Sequence, residues 1–189
     1  KQYPEYIFNF EGAVKYAWMK EYYPAQYEEM KKFIESGRWH ISGASWDATD
    51  TLVPSIESAI RNIMLGQDYY RKEFGVESTD IFLPDCFGFG WTLPAIASHC
   101  GLIGFSSQKL QWRNKPFYGN DKYPFTVGLW QGIDGSTIMM THGYDYNQRF
   151  EDGDLSENKD LLELTGHSPL HMVYRYYGTG DIGGSPTLE

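Results

Sequence analysis

The residues best suited to chemistry lie in Leu83-Pro84-Asp85-Cys86-Phe87-Gly88-Phe89-Gly90-Trp91-Thr92-Leu93-Pro94, where an acid closes an apolar run and opens an aromatic turn punctuated by glycine. In α/β proteins the carboxyl ends of strands collect ligands and catalytic groups. A carboxylate there faces substrate or solvent rather than core. Capping the next helix is the competing role for Asp85, but Thr92 stands closer to that helix and can do it. Four more polar stretches follow or end expected strands. Residues 44–51 carry Asp47, Asp50 and the Trp46 indole, and 106–112 carry Lys109. Residues 141–146 set Asp145 between Tyr144 and Tyr146, and 177–187 hold Asp181 in a Gly-rich loop. Asp and Gly make turns unaided, yet five such loops at strand ends point to one shared site. Asp50, Lys109, Tyr144, Asp145 and Asp181 are therefore expected within roughly 15 Å of Asp85, the span of an ordinary ligand pocket.

Facing carboxylates suit glycoside hydrolysis, one as nucleophile or base and the other as acid; they also suit a metal. The five histidines show no pair four apart on one helical face, because Pro169 separates His167 from His171. Loop 178–184 lacks the Lys-Ser/Thr that completes a phosphate loop.

The elements that must position these groups alternate short apolar runs with longer amphipathic ones, the pattern of βα units. Strands are expected at 6–10, 39–42, 80–84, 102–106 and 172–177, with a hairpin of 126–131 and 136–141 about Gly132-Ile133-Asp134-Gly135. Helices are expected at 24–37, 55–74, 92–100 and 155–165. Pro24 suits a first turn, and Gly37, Gly75 and Gly101 suit helix stops. Residues 113–125 read as an excursion over the surface or the site.

The 189 residues make one domain or a large piece of one, with 41% apolar residues to build a core. The 15 Tyr and 6 Trp fit either sugar stacking or a bulky core. A net charge of −9 argues against nucleic acid as partner. Cys86 and Cys100 form no CxxC pair, and no run of 18 apolar residues offers a membrane span. Leu188-Glu189 reads as an expression remnant.

The ordered set Gly37-Arg38-Trp39, Asp50, Glu57, Arg61-Asn62, Gly66-Gln67, Pro84-Asp85-Cys86-Phe87-Gly88, Leu93-Pro94, 108–112 and 180–187 resembles the N-terminal catalytic domain of family 38 glycoside hydrolases, the zinc-dependent retaining α-mannosidases. The resemblance runs from Tyr3 to Thr187. It implies a distorted, largely parallel β/α barrel-like domain, present over 1–187 as a truncated portion. It also implies a mannose-containing oligosaccharide or glycan as substrate. Asp85 would be nucleophile and zinc ligand, and Phe87 would lie against the sugar. Lys109 would line the site, Tyr144 and Asp145 would hydrogen-bond the sugar, and Asp181 would be the acid/base. The family's zinc also needs a His-x-Asp on a preceding strand and a His beyond Thr187, so its other ligands are expected outside this chain. Phe89 stands where many members have His. A non-catalytic carbohydrate-binding or scaffold domain that kept the fold and lost the metal is the alternative. A metal-dependent deacetylase would need a His pair that the sequence lacks.

Overall fold

Parallel strands need helical crossovers, and the chain alternates the two. The computed structural model describes residues 4–111, 126–142 and 155–176. In order these form β1 (Phe8–Phe10), α1 (Ala13–Tyr22), α2 (Pro24–Glu35), β2 (Trp39–Ile41), α3 (Ile56–Phe74), β3 (Asp80–Phe82), α4 (Leu93–His99), β4 (Gly104–Ser107), β5 (Val127–Gln131), β6 (Thr137–His142) and α5 (Lys159–His167). Strands β1 and β2 pair in parallel. The second sheet has the order β3-β4-β6-β5, parallel except for β5, which turns back on β6 through the hairpin. Past β2, the Ala44 amide donates to the Asp80 carbonyl (2.8 Å) and the Gly43 amide to the Asp80 carboxylate (2.9 Å), which joins the end of one sheet to the start of the next.

The mixed α/β character matches the expectation, but among the described residues the strands form two open sheets and no closed barrel. Filling a barrel takes about eight strands, and the antiparallel β5 ends this sheet.

Two cores hold the layers. Ile63 of α3, Leu93, Ile96 and Ala97 of α4, and Ile81, Phe105 and Ile138 of the sheet make the first. Tyr16, Tyr27, Met30, Ile41 and Tyr70 make the second, between α1, α2, α3 and β2. Much of the aromatic excess is therefore core. Its phenols are satisfied: Tyr16 donates to the Phe10 carbonyl and accepts from the Trp39 indole, both at 3.0 Å, and Tyr70 donates to the Gly43 carbonyl at 3.2 Å. Burial pushes both phenols well above the usual tyrosine range.

Local chemistry sets the helix ends. Ser55 caps α3 through the Ser58 amide, and Gly75 closes it in the left-handed region at φ 68°. Thr92 makes no side-chain cap on α4, contrary to expectation; Pro94 in the first turn has no N–H to satisfy. The single helix expected at 155–165 is a 3₁₀ turn at Leu155–Glu157 followed by α5, which Asn158 caps. Helix α1 was not foreseen. Residues 172–176 are not a strand. Tyr174 donates its amide to the Thr126 hydroxyl (2.6 Å) and Tyr176 shares a hydroxyl bond with Ser106 (2.6 Å), so side chains rather than a backbone ladder dock this segment.

Candidate active site

Strand β3 delivers the site. Ile81 and Leu83 point into the core, and the Leu83 amide continues the ladder to the Ser106 carbonyl (2.9 Å). The chain then turns out through Pro84, and Asp85 emerges with 58% of its side chain exposed. Strand β4 runs alongside and ends in the short 3₁₀ turn that begins at Lys109. The Lys109 ammonium comes 2.7 Å from Asp85 Oδ1 although its own side chain is only 5% exposed. The same ammonium stands 4.6 Å from the centroid of the Phe87 ring, a cation–π distance. Phe87 is itself 63% exposed. A buried cation thus holds one edge of an open carboxylate, with an aromatic face beside both. This arrangement can present a nucleophile or base to an uncharged, partly apolar ligand.

The loop after β2 flanks the turn. The Cys86 thiol donates to the Thr49 carbonyl (3.2 Å), and the Thr51 hydroxyl donates to the Gly88 carbonyl (2.8 Å). Burial, then the charges of Asp50, Asp85 and Glu11, push the Cys86 thiol above its usual range. Asp50 sits between Thr49 and Thr51, whose backbone and hydroxyl meet the turn, and its Oδ1 accepts from the Leu52 amide (2.7 Å). Asp47 accepts from the Ala48 amide, so both acids of this loop make local turn bonds. Sequence reasoning missed Thr51 and the Cys86–Thr49 tie. Their only signal was a hydroxyl and a thiol in facing strand-end loops.

The helical residues of the sequence pattern explain why this loop stays in place. The Asn62 side chain donates to the Asp47 carbonyl (2.9 Å) and accepts from the Asp47 amide (3.2 Å). Gly66 puts the α3 backbone against residues 44–46, where a Cβ would overlap the Ala44 carbonyl oxygen. Gln67 ties α3 to Ser78 in both directions, at 2.6 and 3.0 Å. Glu57 pairs with Arg61 on the exposed side of the same helix.

Of the expected site residues, Asp85, Phe87 and Lys109 come together. Tyr144, Asp145 and Asp181 lie outside the described residues. Among the described residues no three His, Cys, Asp or Glu side chains gather as a metal site. Beside Asp85 stands a lysine, which is no ligand while it carries its proton. The described residues offer Asp85 alone at this position and do not by themselves make a zinc site.

An exposed carboxylate at the carboxyl end of parallel strands, steadied by a buried ammonium, stands where α/β folds collect their ligands. The chain belongs to the glycosyl hydrolases family 38, whose N-terminal domain model matches residues 1–188. It is 37% identical to alpha-mannosidase G of Dictyostelium discoideum over 98% of this chain and 17% of that protein. It is 30% identical to alpha-mannosidase 2C1 of Homo sapiens, over 97% of this chain and 17% of that protein. The chain thus spans about a sixth of the length of these relatives. A solved family 38 glycosyl hydrolase from Enterococcus faecalis superposes with a TM-score of 0.64 at 16% identity, covering 96% of this chain and 20% of that one, and shares the fold.

Proposed function

We propose that the protein carrying this chain is an α-mannosidase, a glycoside hydrolase that releases terminal α-linked mannose from glycans with retention of configuration. The observation that carries this reading is the Asp85 carboxylate, open to solvent beside Phe87 and held 2.7 Å from the Lys109 ammonium. The names of the relatives support the sugar.

In this reading Asp85 attacks the anomeric carbon while the bond to the leaving oxygen breaks, giving a glycosyl-enzyme. A second carboxyl protonates that oxygen, and the family resemblance assigns it to Asp181. The same group then takes a proton from water as the water displaces Asp85. Phe87 lies against the apolar face of the ring, and Tyr144 and Asp145 hold its hydroxyls. Zinc belongs to the proposal as well, with Asp85 as the ligand this chain supplies.

The test is turnover of an aryl α-mannoside by the intact protein. Asp85→Ala is expected to lower kcat by roughly 10³-fold or more, since no covalent intermediate can form. Asp181→Ala is expected to spare the first step on the activated aryl substrate and stall the second, so that azide restores turnover. Full activity of Asp85→Ala would sink the reading. Equal losses on aryl and disaccharide substrates without azide rescue would remove Asp181 alone from it.

A further inference from the structure

The turn that carries Asp85 packs Cys86 and Phe89 against the first core, and a small cavity borders the residues at its two ends. A cavity of about 60 Å³ lies between the loop after β2, the start of α3 and the start of α4. Thr49 and Thr51 line it on one side, and Leu83 and Thr92, which bracket the turn in sequence, line it on another. Phe89, 4.9 Å from the Phe105 ring, anchors the core side of the turn, and polar contacts to the facing loop hold its other side. Two hydrogen bonds join the facing loop and the turn: the Thr51 hydroxyl donates to the Gly88 carbonyl, and the Cys86 thiol of the turn donates to the Thr49 carbonyl. Leu52 adds a steric stop, because a Cβ on Gly88, whose φ is 140°, would come 2.6 Å from a Leu52 methyl.

The loop in turn is tied to α3. Trp46 donates its amide to the Asn62 carbonyl (2.8 Å), Asn62 brackets Asp47, and Asp50 folds the segment through the Leu52 amide. Hydrogen bonds thus run from a 19-residue helix through the facing loop to the turn, which they meet at the Thr51 hydroxyl and the Thr49 carbonyl.

We infer that Thr51 is a positioning residue for Asp85: its bond to the Gly88 carbonyl fixes the turn that aims the carboxylate, and the Cys86–Thr49 bond is the second tie of the same clamp. The inference rests on the α-mannosidase reading. The Thr51 hydroxyl is taken up by the Gly88 carbonyl, so its loss should be felt in the chemical step and little in sugar binding. Thr51→Val keeps the shape and removes the donor, while Thr51→Ser keeps the donor.

In the intact protein, Thr51→Val is expected to lower kcat on an aryl α-mannoside about tenfold, because small misplacements of a reacting group are costly. KM should stay within about twofold, since the change falls on transition-state rather than ground-state contacts. Thr51→Ser should restore most of the rate. Cys86→Ala against Cys86→Ser reads the second tie in the same way, and stands in for Thr51→Val should that variant fail to fold. Wild-type kcat in Thr51→Val, or a Ser variant as slow as the Val variant, would overturn the inference. So would equal rates in the Cys86 pair where Thr51→Val does not fold. A wild type without any α-mannosidase activity would overturn the parent reading and this inference with it, whereas an active wild type with an indifferent Thr51→Val overturns this inference alone.

Discussion

Lys109 is an expensive residue to place where it stands, since a cation that is 95% shielded from water must be repaid by its contacts. Its repayment includes Asp85 Oδ1 at 2.7 Å and the Phe87 ring at 4.6 Å. Both partners belong to the same turn, so the ammonium acts as a pin between β4 and the segment that follows β3. The Asp85 side chain is still 58% exposed, so a substrate can reach it. Lys109→Met preserves the length of the side chain and deletes the charge. The expected outcome in the intact protein is a loss of roughly ten- to a hundredfold in kcat/KM, the size seen when a group that orients a catalytic side chain is removed. Steady-state kinetics beside a thermal melt would check it. A variant that melts normally and retains full kcat/KM would show that the pin has no part in catalysis.

Helix α3 positions the loop facing Asp85, and one glycine lets it do so. Gly66 is buried, and a Cβ there would overlap the Ala44 carbonyl and crowd the Ser45 and Trp46 backbone. Gly166 in α5 has nothing within 4 Å of the same hypothetical atom. Alanine should therefore act with opposite signs at the two sites. Gly66→Ala is expected to destabilise the chain by about 2–3 kcal/mol through overpacking against backbone, outweighing a helix-propensity gain of about 1 kcal/mol. Gly166→Ala is expected to show that gain undiluted, at about 0.5–1 kcal/mol. Urea denaturation of the two variants would read the signs directly, and a neutral or stabilising Gly66→Ala would mean that α3 can slide away from residues 44–46. The Arg61-Asn62…Gly66-Gln67 run is legible in the sequence as a pattern, while its purpose, two-way bonds from Asn62 and Gln67 to distant backbone, is not. Helices α2 and α3 are legible because their apolar residues keep to one face and a Pro or a Ser marks the start. Helix α1 escapes that reading: Val14, Tyr16, Ala17, Trp18, Met19 and Tyr22 ring it, and Gly12 offers no capping side chain. Asp85 is legible as a strand-end acid from local sequence alone. The contact between Thr51 and Gly88 spans 37 residues and needs the two strands to be adjacent first.

At the scale of the whole molecule, the sheet face carrying Phe105 and Ile138 packs on α3 and α4, and the opposite face is exposed at its β5 end among the described residues. Ile138 is buried on the covered face, while on the other face Val127 is buried but Leu129, two residues along the edge strand β5, is 73% exposed and faces Met139 across the ladder. Ile103, just before β4, and Ile133, in the hairpin, are exposed as well. An apolar pair on an edge strand favours pairing with another copy, and the net charge of −9 opposes it through repulsion. These two forces can be separated with one substitution. Leu129→Lys removes apolar surface and also makes the molecule less negative, so repulsion between copies weakens. If apolar contact governs, self-association of the 189-residue chain should fall despite the weaker repulsion, with stability changed by no more than about 0.5 kcal/mol at an exposed site. Sedimentation velocity over a concentration series would show this as a weight-average coefficient that climbs for the wild type and stays flat for the variant. A variant that climbs as steeply as the wild type would place the association elsewhere on the surface, and a variant that climbs more steeply would make charge the governing force.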